Sequence, residues 1–129
     1  MSMPIAYWCI LLAGMLPVLT VAVSKAGRRD YDNAEPRAWL ERQQGVRRRA
    51  DYAHRNHFEA FPFFAAAVLV AEQMHASSLW INLLAVMFII ARLAYTALYL
   101  SNKPTPRSLA WVVGYVCVLA LFGIAACGA

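Results

Sequence analysis

The chain is 129 residues long, 61% apolar and only 15% charged, which is more hydrocarbon than a soluble core of that size can bury. Its formal charge of +5 does not call for a nucleic-acid partner, because the basic residues flank hydrophobic segments, where they act as topogenic charge and contact anionic membrane lipids. Cys9, Cys117 and Cys127 fall within apolar runs, with neither a CxxC pair nor a histidine at ligand spacing, so no metal site, disulfide framework or catalytic cysteine is expected.

The first apolar run extends from Pro4 to Val23, with no Lys or Arg before it and Lys25, Arg28 and Arg29 directly after it. That order is the reverse of a signal peptide's and predicts a retained first span, about 4–24, with its N-terminus outside. Residues 25–51 form a basic loop and helix extension, and the stretch from Lys25 to Arg55 holds nine of the twelve basic residues. DYDNAEP at 30–36 is a loop, and Pro36 opens a helix at the position where its missing N–H costs nothing. The helical spacing of Trp39, Val46, Ala50 and Ala53 predicts that this helix runs unbroken into a second span, about 52–74. Pro62 within it frees the carbonyl of Phe58 and should bend it.

A short turn, His75 to Ser78, leads to a third span, about 79–100, interrupted by Asn82 and Arg92. SNKPTPRS at 101–108 is a second polar turn, and the last span covers about 108–127. Trp8, Trp39, Trp80 and Trp111 lie near span ends, as interfacial anchors do. Eleven of the twelve Lys and Arg lie between 25 and 55 or at 103 and 107. Four spans put those two regions on one side, which the positive-inside rule makes cytoplasmic, with both termini outside. The expected fold is therefore an all-α membrane protein, a single domain over 1–129 built as a four-transmembrane-helix bundle.

Polar residues inside the spans carry the chemistry. Tyr52, Arg55, Asn56 and Glu59 at i, i+3, i+4 and i+7 form one stripe on the second helix. Arg92, Tyr95 and Tyr99 form another on the third. An arginine or aspartate at the centre of a span costs about 2.5 to 3.5 kcal/mol on insertion scales, so these groups should face the bundle and pair. Glu59 and Arg92 lie at comparable depth and are expected to form a buried ion pair. Arg55, Arg92 and Arg107 outnumber Glu59, which leaves cationic donors for an anionic ligand near the cytoplasmic boundary. His54 and His57 are expected at the headgroup level with no catalytic role, and Glu72 as an exposed helix-end carboxylate.

AHRNHFEAFPFF at 53–64, ARLAYTALYL at 91–100 and PRS at 106–108 together resemble the MAPEG family, the membrane-associated proteins in eicosanoid and glutathione metabolism. The resemblance covers nearly the whole chain, and YDNAEPRAWLERQQG at 31–45 is similar to bacterial members. It implies a homotrimer in the bacterial inner membrane with periplasmic termini. It also implies a glutathione co-substrate bound between neighbouring subunits and a hydrophobic electrophile as the other substrate, with no metal. By the same resemblance Arg55, Asn56, Glu59, Tyr95 and Tyr99 would line the glutathione site, Arg107 would stabilise the thiolate, and Ser108 would stand beside it. Arg92 joins the site on the polar stripe it shares with the two tyrosines. Tyr52 stands where several members carry an arginine, leaving Arg49 or Arg55 as the nearest guanidinium groups.

The chemistry is consistent with that reading. A thiol with a pKa of about 8.5 needs a neighbouring cation to ionise at neutral pH. Two other functions compete: a non-catalytic membrane scaffold or accessory subunit of the same fold, and a small proton-coupled exporter. The heavy Lys/Arg asymmetry speaks against the exporter.

Overall fold

A computed structural model of the chain describes residues 2–128. These residues form α1 (Ile5–Lys25), α2 (Pro36–Glu41), α3 (Gly45–Gln73), α4 (Ser78–Leu100) and α5 (Pro104–Cys127). Three of them, α1, α4 and α5, are long and apolar enough to cross a membrane. With 21, 23 and 24 residues rising about 1.5 Å each, they match a hydrocarbon layer of about 30 Å. The remaining long helix, α3, has 29 residues, and its first turns carry Arg47, Arg48 and Arg49.

The four long helices pack as an antiparallel bundle in which α3 contacts α1, α4 and α5, and α4 contacts α1 and α5. Ala6, Cys9 and Ala13 on α1 meet Ala67 and Ala71 of α3 in the core, small residues that let two helix backbones approach closely. At mid-bundle the rings of Phe64 and Phe88 stack with centroids 3.9 Å apart, locking α3 to α4.

Polar side chains satisfy the helix ends. Asn82 of α4 accepts the backbone N–H of Ala6 in the first turn of α1 at 3.1 Å. At the other end of α1, Arg47 donates to the carbonyl of Ser24 at 2.9 Å while the Ser24 hydroxyl donates to the carbonyl of Arg47 at 2.6 Å. Arg49 closes the C-terminus of α4 by donating to the carbonyl of Leu100 at 3.1 Å. The Ala6 N–H and the carbonyls of Ser24 and Leu100 would otherwise end without a partner.

Two expectations about the helices need correction. The helix opened by Pro36 is not continuous with α3: it stops at Glu41, where Arg42 and Gln43 close back onto Trp39 and Leu40 through their backbone N–H groups. The Gln43 side chain also donates to the Trp39 carbonyl, and Gly45 then takes φ +62°, a left-handed conformation that glycine adopts without steric cost. Trp39 is buried, edge-on to Tyr31, and pins the short helix instead of anchoring it at an interface. The last helix starts at Pro104, within the stretch expected to be a turn. Pro104 at N1 is already preset for the helix, so Arg107 and Ser108 stand in its first turn. α3 continues through Pro62.

Truncating the stacked pair tests the packing. Phe64→Ala should destabilise the detergent-solubilised protein by about 3 kcal/mol, whereas Val18→Ala, at a side chain 63% exposed, should change stability by less than about 0.5 kcal/mol. Thermal unfolding of both variants measures the contrast.

Candidate functional site

The centre of the bundle holds a closed ring of hydrogen bonds between α3 and α4. Arg92, 3% exposed, donates through Nε and Nη2 to Nδ1 of His57 at 3.2 and 2.8 Å. Because Nδ1 accepts, the imidazole proton is on Nε2, which donates to the Thr96 hydroxyl at 2.9 Å. Thr96 in turn donates to the backbone carbonyl of Arg92 at 2.8 Å. The arginine is thus held without a carboxylate in contact. The expected Glu59–Arg92 ion pair does not form: buried His57 occupies the guanidinium edge, and Glu59, two residues further along α3, is exposed.

Arg92 also lines a cavity of about 120 Å³ between α3, α4 and α5. Its polar wall is Asn56, Glu59 and Arg92; its apolar wall includes Phe63, Phe88, Trp111 and Tyr115. The Oδ1 of Asn56 is buried there with no hydrogen-bond partner, although buried acceptors are nearly always satisfied. One pocket therefore offers an unused acceptor, a carboxylate and a fixed guanidinium.

A second cavity, of about 280 Å³, is lined by Tyr95, Tyr99, Arg107, Ser108, Trp111 and Val112. The Arg107 guanidinium lies 4.4 Å from the Tyr99 ring centroid, and Arg92 lies at the same distance from Tyr95. The two tyrosines meet edge to face at 5.6 Å, so α4 presents two aromatic platforms, each carrying a cation. Trp111 borders both cavities. Seven of the eight candidate residues from the sequence are accordingly divided between two adjoining pockets: Asn56, Glu59 and Arg92 in one, Tyr95, Tyr99, Arg107 and Ser108 in the other.

Arg55 belongs to neither. It turns to the other side of α3 and pairs with Asp51 at 2.9 Å and, more distantly, with Glu41 at 4.0 Å. These residues, with Arg37, His54 and Phe58, line a separate cavity against α2. The stripe from Tyr52 to Glu59 is thereby split: four positions along a helix turn through about 40°, and the buried carboxylate of Asp51 draws Arg55 to the far edge. Neither proposed substitute for the missing arginine at Tyr52 is free, since Arg49 caps α4. In the basic loop, Arg28 forms a two-pronged contact with Asp30 at 2.9 Å, and that hydrogen bond holds the Asp30 carboxyl down at about 2.

His57, expected at the headgroup level, is instead 2% exposed and bonded between Arg92 and Thr96. Its signal was the heptad spacing Ala50, His57, Phe64, Ala71, which puts the histidine among side chains that are all buried. Read together with Ala85, Phe88, Arg92 and Tyr95 on α4, that spacing aims it at Arg92. Among the described residues, no group of three His, Cys, Asp or Glu is placed to hold a metal ion.

The profile of the MAPEG family matches residues 5–127. No curated protein matches the chain.

Asp51, 2% exposed, accepts from Arg55 and contacts His54. Asp51→Ala should cost about 1 kcal/mol, because both partners reach solvent once released. In an Arg55→Ala background the same change should cost measurably less, and a double-mutant cycle on unfolding midpoints reads the coupling.

Proposed function

Because the chain belongs to the MAPEG family, we propose that it is an integral membrane, glutathione-dependent transferase or peroxidase that uses a thiolate held by Arg107. The observation that carries this reading is the chemical complement of the two adjoining pockets. The γ-glutamyl end of glutathione bears an α-ammonium and an α-carboxylate. Glu59 and the unpartnered Oδ1 of Asn56 are acceptors for the first, and Arg92 is a donor for the second. In the neighbouring pocket Arg107, seated on Tyr99, supplies the positive charge that a thiol needs to ionise, with Ser108 beside it as a hydroxyl donor.

The bound thiolate attacks an electrophilic carbon of a hydrophobic substrate arriving from the bilayer. A carbon–sulfur bond forms, the leaving group departs with its electron pair, and Arg107 compensates charge on sulfur until the bond is made. With a lipid hydroperoxide the thiolate attacks the terminal oxygen, the O–O bond breaks and the lipid alkoxide leaves to be protonated to the alcohol; a second glutathione then converts the sulfenic acid to glutathione disulfide and water.

We place α3 as a fourth span, with the basic loop cytoplasmic and the termini periplasmic in a bacterial inner membrane, in keeping with the Lys and Arg distribution. In one subunit Glu59 is exposed on α3. A carboxylate facing lipid is costly, so other copies cover this face in a homotrimer, which encloses the glutathione site between subunits. A scaffold role for the same fold draws support from one feature: Tyr52 stands where several members carry an arginine, and Arg49 and Arg55 are both engaged elsewhere.

Purified protein separates these readings. Millimolar glutathione should produce thiolate absorbance at neutral pH and support conjugation of an aryl halide. At pH 7 a thiol with a pKa of about 8.5 is only about 3% ionised, so Arg107→Ala should slow conjugation about thirtyfold at that pH. Removing the cation raises the thiol pKa, so the deficit should shrink as the pH rises past about 8.5. Absence of the thiolate signal in the wild-type protein would leave the scaffold as the function.

A further inference from the structure

We infer that His57 is a positioning residue for thiol recognition: through the ring it forms with Arg92 and Thr96, it fixes Arg92 as the reader of the amino-acid head group. The inference rests on the glutathione reading above and concerns how that site achieves selectivity.

Within a bundle a guanidinium normally finds a carboxylate, because an unpaired buried charge is expensive. Arg92 has a neutral imidazole instead. Nδ1 takes two of its five N–H groups by accepting from Nε and Nη2, and this satisfies one edge without neutralising the cation. The Tyr95 ring, with the guanidinium 4.4 Å from its centroid, covers a face. Arg92 also lines the cavity shared with Asn56 and Glu59, and three of its five N–H groups are not taken by His57. A carboxylate at position 57 would consume the charge, and an aliphatic side chain would leave the inner edge without an acceptor and the side chain free to swing. The neutral histidine, in the single tautomer the ring permits, avoids both outcomes.

The ring also accounts for Thr96. Its hydroxyl accepts from His57 and donates one turn back to the Arg92 carbonyl, so the imidazole is referenced to the backbone of the residue it orients. The hydrogen bonds of the ring include no residue of the Arg107 pocket, which adjoins them through the Tyr95 ring. His57 thus acts on head-group recognition through Arg92, while Arg107 governs thiol ionisation.

The test compares His57→Leu, His57→Asn and Thr96→Val with wild-type protein. Measured quantities are the dissociation constant for glutathione from thiolate absorbance, the pH profile of that signal, kcat with an aryl halide, and the rate with mercaptoethanol, a thiol lacking the amino-acid head. His57→Leu should weaken glutathione binding about tenfold, the scale of one hydrogen bond to a charged group, with kcat, the thiolate pH profile and the mercaptoethanol rate unchanged. His57→Asn, whose side-chain carbonyl can accept from Arg92 without reaching Thr96, should recover most of the affinity. Thr96→Val should fall between them and serves as the probe if His57→Leu does not fold. Unchanged glutathione affinity in His57→Leu and Thr96→Val overturns the inference, as does a parallel loss with mercaptoethanol, which marks a structural role only. A wild-type protein without a glutathione signal overturns the functional reading, and this inference with it.

Discussion

In this bundle the polar groups within the helices must be satisfied by the protein itself, and its side chains also close the helix ends. Water cannot complete a hydrogen bond in hydrocarbon, so every stranded donor or acceptor carries a penalty of several kcal/mol. The contacts between sequence-distant residues follow from that requirement. Asn82 takes an amide from the start of α1, Arg47 and Ser24 clasp its end, and Arg49 closes α4. The basic residues that open α3 therefore tie three helices together by their donors.

The same constraint shapes the site. Arg92 cannot be left bare in the bundle, yet a carboxylate in contact with it would cancel its usefulness. His57 and Thr96 resolve the conflict by supplying acceptors without charge. The polarity left over is uneven: Asn56 keeps an unused oxygen, Glu59 presents its carboxyl to the same cavity, and Arg107 rests on an aromatic face instead of an anion. A folded core would not leave these groups incomplete without a cost. Their grouping around two cavities that share Trp111 is what the proposed thiol chemistry requires.

Much of the site was legible because helical periodicity is a local property. The spacing Arg92, Tyr95, Tyr99 determines that the three share a face of α4, and Asn56 with Glu59 likewise on α3. Arg55 shows where that reasoning stops. It lies one residue from Asn56, and a helix stripe can include either neighbour, so its side was decided by Asp51 and by α2, which packs alongside. The break that creates α2 was equally hidden. RAWLERQQGVRRR reads as continuous helix until Gln43 folds back onto Trp39 and Gly45 takes a left-handed turn.

By itself, the sequence determined the helical class, the membrane character of its apolar runs, the family and the faces on which most polar residues stand, since each is set by composition or by spacing along one helix. Only the tertiary structure decided which polar group meets which. Arg92 pairs with His57 and not Glu59, Arg55 leaves the stripe, and Tyr99 receives Arg107. Those pairings depend on the rotation and depth of one helix against another, which core side chains such as Phe64 and Phe88 fix, and no local pattern encodes that packing.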